Sequence, residues 1–212
     1  MRKLIIFYSL ALLLAACTAA GNDRTANQPA AQASDQPQIS QASLDAATAA
    51  AQPAGPVTEE AMKITSPAFD DGKPIPKKFT CQGENVSPTL TWSGIPAGTK
   101  SLALVTEDPD APSGIFIHWV LYNMQPGLSG LPEKVQAAPQ VAGTGTQGSS
   151  GFGRPGYGGP CPPPGKAHRY YFKLYALDLD PQLPAGLNAA GLQKQMAGHI
   201  LAQAQWMGTF QR

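Results

Sequence analysis

The stretch Val105–Tyr122 reads VTEDPDAPSGIFIHWVLY and contains the junction between two predicted strands. The apolar run Ser101–Glu107 predicts a buried strand, and Phe116–Asn123, rich in aromatic and β-branched residues, predicts the next one. Between them, Asp108–Pro112 (DPDAP) ends the first strand, because its prolines lack N–H donors and fix the backbone. His118 lies inside the second strand. The stretch therefore indicates either a binding site made of carboxylates and an imidazole, or a turn beside a core histidine.

A second stretch of the same character begins at Tyr157. The block Tyr157–Gly165 (YGGPCPPPG) predicts a stiff, irregular wall, and the strand Tyr170–Leu177 follows it. His168 and Tyr170 are two residues apart and face the same side of that strand. If the two stretches meet, imidazole, phenol and loop amide donors would line a pocket that suits an oxyanion such as phosphate. A carboxylate there would have to orient a histidine or accept a proton from a phosphate ester. The candidates are Asp108, Asp110, His118, His168 and Tyr170, and each histidine alone could equally be a core or rim residue.

The composition narrows the class of protein. The chain has 212 residues, a net charge of +1 and 14% charged residues, so no basic surface is expected that could bind nucleic acid. With 22 glycines and 21 prolines, short strands joined by turns are favoured over helices. Further strands are predicted at Met62–Ser66, Phe79–Cys81, Thr89–Trp92 and Ile200–Phe210, and the main helix at Asn188–His199.

The N-terminus has the features of a targeting segment. Arg2 and Lys3 precede the short apolar run Leu4–Leu14, and small residues lead to Cys17, as in the lipobox of bacterial lipoproteins. This pattern predicts a signal peptide at residues 1–16 and a lipid anchor on Cys17, with an ordinary secretory signal as the alternative. Thr18 follows the cysteine instead of an aspartate, which favours the outer membrane of a bacterial cell envelope, with the protein facing the periplasm.

Residues 17–61 are rich in alanine, glutamine and proline and predict a disordered tether that spans about 35 Å as a coil. The folded domain is predicted at residues 62–212. Within it, Gly127–Pro164 is an unusually long glycine- and proline-rich loop. It includes a G-x-G-x-x-G sequence at Gly143–Gly148, but no strand-to-helix context surrounds it, so no dinucleotide site and no cofactor is expected.

Together, the DPDAP loop, the histidine in the following strand and the block that leads into His168-Arg169-Tyr170 resemble the phosphatidylethanolamine-binding protein family. The sequences Thr80-Cys81, Asn85–Pro88 and Trp92–Gly94 fit its bacterial, Raf-kinase-inhibitor-like branch. The resemblance implies a mainly β fold, an antiparallel Greek-key β-sandwich with one or two short helices. It also implies a pocket for phosphate or a phospholipid head group, lined by Asp108, Asp110, Pro112, His118, His168 and Tyr170.

The resemblance also brings the loops of Cys81 and Cys161 near this pocket. With Cys17 lipidated, two cysteines remain in an oxidising compartment, so a disulfide is predicted. The alternative is a metal site that uses a cysteine together with His118 and His168, but no typical ligand spacing supports it.

The favoured function is a membrane-tethered module that binds a phosphate-bearing small molecule or phospholipid head group. One alternative is an inhibitor or regulator of an envelope protein, such as a protease or signalling partner. The other is a weak ester or phosphoester hydrolase, although no G-x-S-x-G nucleophile motif is present.

Overall fold

A computed structural model describes residues 61–212 of the chain. The predicted signal peptide at residues 1–16 and lipidated Cys17 lie outside the described residues, as does nearly all of the predicted tether. No helix among residues 61–212 is long and apolar enough to cross a bilayer.

The described part of the chain is built mainly from antiparallel strands. The strands are β1 (Lys63–Thr65), β2 (Leu90–Ser93), β3 (Ser101–Asp108), β4 (Phe116–Met124), β5 (Gly130–Leu131), β6 (Gln140–Val141), β7 (Gly145–Gln147), β8 (His168–Leu177) and β9 (Ile200–Phe210). The helices are one 3₁₀ turn, Lys77–Phe79, and α1 (Ala189–Met196). The predicted fold class, a mainly β antiparallel sandwich with few helices, is confirmed.

Two sheets share the main core. The smaller sheet has the order β1-β2-β5, and the larger has the order β6-β7-β4-β3-β8-β9. Apolar side chains from both sheets pack together, including Trp92 from β2, Trp119 from β4 and Phe172 from β8. Burial of this apolar surface is the main stabilising contribution to such a fold.

The larger sheet is covered on its other face as well. Val105 of β3 and Tyr122 of β4 pack there against Leu192 and Met196 of α1. This explains why every residue of β3 is buried and why its central part, Leu102–Val105, is an unbroken apolar run instead of an alternating one. Asn188 is the N-cap of α1, since its side chain accepts a hydrogen bond from the Gly191 N–H.

Three sequence predictions are corrected by the structure. Phe79–Cys81 is not a strand, because Phe79 and Thr80 donate backbone hydrogen bonds to the carbonyls of Pro76 and Lys77 and so close a 3₁₀ turn. The main helix ends at Met196 instead of His199, and Gly198 adopts a positive φ of 81° just beyond it. The loop Gly127–Pro164 contains the short strands β5, β6 and β7.

Candidate functional site

A cavity of about 170 Å³ lies where the end of β3 meets the starts of β4 and β8. The register places Asp108 of β3 opposite Phe116 of β4, and Glu107 opposite Tyr171 of β8, so the three strands meet at one end of the sheet. The two stretches singled out in the sequence therefore come together. The residues that line the cavity are Asp108, Ala111, Pro112, Ser113, Phe116, His118, Phe152, Cys161, Pro162, Pro163 and His168.

Asp108 and His168 form a buried pair in the cavity wall. The His168 Nδ1–H donates to Asp108 Oδ2 at 2.8 Å, and the Asp108 side chain is only 4% exposed. The other carboxylate oxygen accepts the backbone N–H of Asp110 at 2.8 Å, which fixes the DPDAP turn. Since the carboxylate holds Nδ1, it sets the tautomer of the imidazole and leaves Nε2 for a ligand.

His118 is held from the opposite wall by a backbone group. Its Nδ1–H donates to the Gly158 carbonyl at 2.6 Å, and the Gly158 N–H donates back to the His118 carbonyl at 3.0 Å. Burial lowers the pKa of His118 below its ordinary value of 6.5, although the Gly158 carbonyl acts in the opposite direction. The neutral ring with Nδ1 protonated presents Nε2 as a hydrogen-bond acceptor.

Three aromatic rings pack edge to face along the cavity. The His118 ring lies 5.1 Å from Phe116 and 5.5 Å from Phe152, and the two phenylalanines are 5.0 Å apart. All three line the cavity. Such rings offer apolar surface and negative faces that can contact a cation.

Two of the predicted site residues do not line the cavity. Asp110 accepts hydrogen bonds from the Arg169 guanidinium at 2.9 and 2.7 Å and from the Arg169 backbone N–H at 2.9 Å. These bonds lower the pKa of Asp110 to about 2. Tyr170 is fully buried behind His118, with ring centroids 5.1 Å apart, and burial together with the nearby Asp108 charge raises its pKa. Asp108, Pro112, His118 and His168 are the predicted residues that meet in the cavity.

Sequence reasoning did not identify several lining residues. Phe116 lies two positions before His118 on the same strand, so strand alternation could have placed it on the same face. Phe152 lies in an irregular segment with no periodic pattern to reveal it. Ser113 directly follows the predicted turn and Pro163 belongs to the predicted wall, but no rule indicated which residues of these segments would face inward.

The predicted disulfide between Cys81 and Cys161 is confirmed, with the two Cα atoms 5.4 Å apart. It ties the proline-rich wall to the segment after the 3₁₀ turn, where the Cys81 N–H also donates to the Pro160 carbonyl at 3.1 Å. Both thiols are used in this bond, so neither is a thiolate for the alternative metal site.

The described domain is an antiparallel sandwich with a partly apolar cavity at one end. The family model for phosphatidylethanolamine-binding protein matches residues 65–211. The chain belongs to the phosphatidylethanolamine-binding protein family.

Its relatives include the UPF0098 protein of Methanothermobacter thermautotrophicus, which is 44% identical over 71% of this chain and 99% of its own length. The "Putative lipoprotein LppC" of Mycobacterium tuberculosis is 40% identical over 96% of this chain and 92% of its own length. A crystal structure of the PEBP homolog CT736 from Chlamydia trachomatis has a TM-score of 0.66 and 44% identity, covering 72% of this chain and 98% of that one. The crystal structure of YBCL of E. coli, described as a new member of the mammalian PEBP family, has a TM-score of 0.65 and 32% identity. The match covers 71% of this chain and 98% of that one.

Proposed function

We propose that the protein is a membrane-tethered binding module whose cavity takes a phosphate group or a phospholipid head group. The observation that carries this proposal is the convergence of His168 and His118 on one cavity, each with Nδ1 engaged by the protein. Their Nε2 atoms are left for a ligand. The Nε2 of neutral His118 accepts a hydrogen bond from a protonated phosphate oxygen or an ammonium group, whereas an imidazolium at His168, beside the Asp108 carboxylate, would donate a charge-assisted hydrogen bond to an oxyanion.

The charge of the cavity favours a singly charged or zwitterionic ligand over a phosphate dianion. No lysine or arginine is among the described residues that line it, and Asp108 contributes a carboxylate. A carboxylate repels an anion, but its pairing with His168 offsets part of that repulsion. The rings of Phe116 and Phe152 would tolerate an ammonium group beside the phosphate. A head group that carries both charges therefore fits better than free phosphate.

The family supports binding in preference to catalysis, since its model is named for binding phosphatidylethanolamine. The hydrolase alternative can be tested on the same protein by assaying turnover of a nitrophenyl phosphate and a nitrophenyl ester. Turnover that depends on His168 would contradict a pure binding role.

The test is calorimetric titration of the full chain with inorganic phosphate and then with phosphoethanolamine. We expect saturable binding that His168→Ala reduces by about tenfold or more, because a charge-assisted hydrogen bond is lost. His199→Ala is the matched control, because His199 also donates to a carboxylate, Asp178 Oδ1 at 2.8 Å, but does not line the cavity.

Equal binding by wild type and His168→Ala, or no binding heat from either ligand in the millimolar range, would contradict the cavity proposal. A regulator of an envelope protein would then be the better hypothesis.

A further inference from the structure

A second cleft, of about 380 Å³, is lined in part by Tyr157, the residue before the Gly158 that holds His118. We refer to it as the cationic cleft. Six of its lining residues carry side-chain donors: Asn85, Ser87, Lys134, Gln136, Arg154 and Tyr157. No carboxylate is among the described residues that line it. The charge of its lining is therefore opposite to that of the first cavity, whose described lining residues include a carboxylate but no lysine or arginine.

The two cations of the cationic cleft have no ion-pair partner within residues 61–212. Lys134 makes no salt bridge there, while its neighbour Glu133 is paired with Lys78. The Arg154 guanidinium lies 5.8 Å from the centre of the Phe152 ring, a contact that leaves its N–H donors free for an anion. Unpaired cations that share one concave surface raise the local concentration of anions.

The rim of the cationic cleft is fixed by hydrogen bonds before any ligand arrives. Asn85 Oδ1 accepts the Gly159 N–H at 2.7 Å, which leaves its Nδ2 donor without a partner among the described residues. Lys134 donates its backbone N–H to the Ser87 carbonyl at 3.0 Å, and Val135 donates to Ser87 Oγ at 3.0 Å. Asn85 and Lys134 both hold a positive φ, 57° and 62°, so the surrounding contacts maintain an uncommon backbone at two lining positions.

The remaining surface of the cationic cleft is apolar. Val86, Val135, Ala137 and Tyr157 line it, and the Tyr157 hydroxyl is already engaged by the Phe79 carbonyl at 2.9 Å. Inorganic phosphate would contact the cations alone, whereas an anion on an apolar body would bury hydrocarbon as well. We propose that the cationic cleft is a second binding site, specific for an organic anion that joins a carboxylate to an aromatic or aliphatic body.

This site is separate from the first cavity, since no residue lines both. Two adjacent glycines each hold one lining residue: Gly158 binds His118 through its carbonyl, and Gly159 binds Asn85 through its N–H. The proposal does not depend on the phosphate site, since none of its donors lines the first cavity.

The test is an NMR titration of the ¹⁵N-labelled full chain with 2-naphthoate, an anion on an aromatic body, and with 2-naphthalenemethanol, its neutral analogue. We expect saturable shifts at the Asn85 and Gln136 side-chain amides with naphthoate. The double substitution Lys134→Gln, Arg154→Gln should weaken binding by about tenfold or more. The matched control is Lys100→Gln, Lys194→Gln, which removes the same charge from exposed positions outside the cationic cleft and should bind as wild type does.

The proposal is overturned if wild type shows no saturable shifts in the millimolar range, or if the shifts fall outside the cleft. It is also overturned if the double substitution binds with unchanged affinity, or if the neutral analogue binds equally well. A parallel phosphate titration followed at the His118 and His168 rings reports on the first cavity alone, so failure at one site is distinguishable from failure at the other.

Discussion

Asp110 shows how a residue can support a cavity that it does not line. Its carboxylate accepts three hydrogen bonds from Arg169, two of them from the guanidinium. Two residues earlier, Asp108 pairs with His168, the neighbour of Arg169. The DPDAP turn is therefore joined to the start of β8 at two adjacent positions. Asp110 positions the cavity wall, and Asp108 forms it.

Arg169→Gln tests this positioning. The substitution should raise the pKa of Asp110 from about 2 towards its ordinary 3.8, because the favourable partner of the carboxylate is lost. A carboxyl with a lowered folded pKa stabilises the protein above its unfolded pKa, and this stabilisation is lost as the pH falls through its folded pKa. The wild type should therefore have the higher melting temperature at pH 6, and the difference should shrink by about pH 2. Since both side chains are partly exposed, we expect a small effect.

The measurement is thermal unfolding over this pH range, with the pKa read from the Asp110 carboxyl carbon by NMR. Lys100→Gln is the control, since its pair with Asp180 spans 3.8 Å and both side chains are more than half exposed. A melting difference for Arg169→Gln that does not change between pH 6 and pH 2 would mean that the guanidinium acts by packing alone.

At the scale of elements, the disulfide is the covalent link that fixes the proline-rich wall. It closes a loop with a sequence separation of 80 residues. In the chain-entropy account, a loop of this length restricts the unfolded chain by about 4–5 kcal/mol. Cys81→Ser, Cys161→Ser should lower the free energy of unfolding by a few kcal/mol, and it should weaken binding in the cavity because Cys161 lines it.

Urea denaturation and the phosphate titration measure the two effects. Wild type treated with a phosphine reductant serves as the comparison, because it loses the bond without losing the sulfur atoms. Unchanged stability in both proteins would show that the hydrogen bond from Cys81 to Pro160 holds the wall by itself.

The elements that the sequence predicted well are those long enough to show a pattern. β3, β4, β8 and β9 each span 8 to 11 residues, and their apolar runs or alternation appear directly in the sequence. β5 and β6 have two residues each and show no period. Phe79 is the one residue of its 3₁₀ turn that enters the core, and a single buried position cannot distinguish a strand from such a turn.

Three of the site residues that the sequence predicted lie on long, patterned strands, and most of those that it missed lie in irregular segments. Asp108, His118 and His168 come from strand ends, where the register determines which residues meet. Phe152 and the cationic cleft come from irregular segments, and their positions depend on hydrogen bonds such as the one from Gly159 to Asn85. Bonds between loops that are 74 residues apart leave no periodic trace in a sequence.

At the scale of the whole molecule, the proposed lipid anchor would place the binding domain near a membrane surface. The relative named as a lipoprotein aligns with 96% of this chain, well beyond the folded domain. If the cavity binds head groups with low affinity, tethering would raise its occupancy, because a tethered domain meets the head groups of its own membrane at a high effective concentration. We propose that the protein is anchored through Cys17 in a bacterial cell envelope. The expected location is the outer membrane, with the protein facing the periplasm.

Cys17→Ser tests the anchor directly. We expect the wild-type chain, expressed in a bacterial host, to incorporate labelled palmitate and to enter the detergent phase on partitioning, because acyl chains supply the apolar surface. The substitution should abolish both. Cys81→Ser, Cys161→Ser is the matched control, because it removes two other cysteines that the structure places in a disulfide and should leave the label in place. Label that persists on Cys17→Ser would mean that the acyl chain is attached at another residue. Label that never appears on wild type would mean that the N-terminal segment is an ordinary secretory signal.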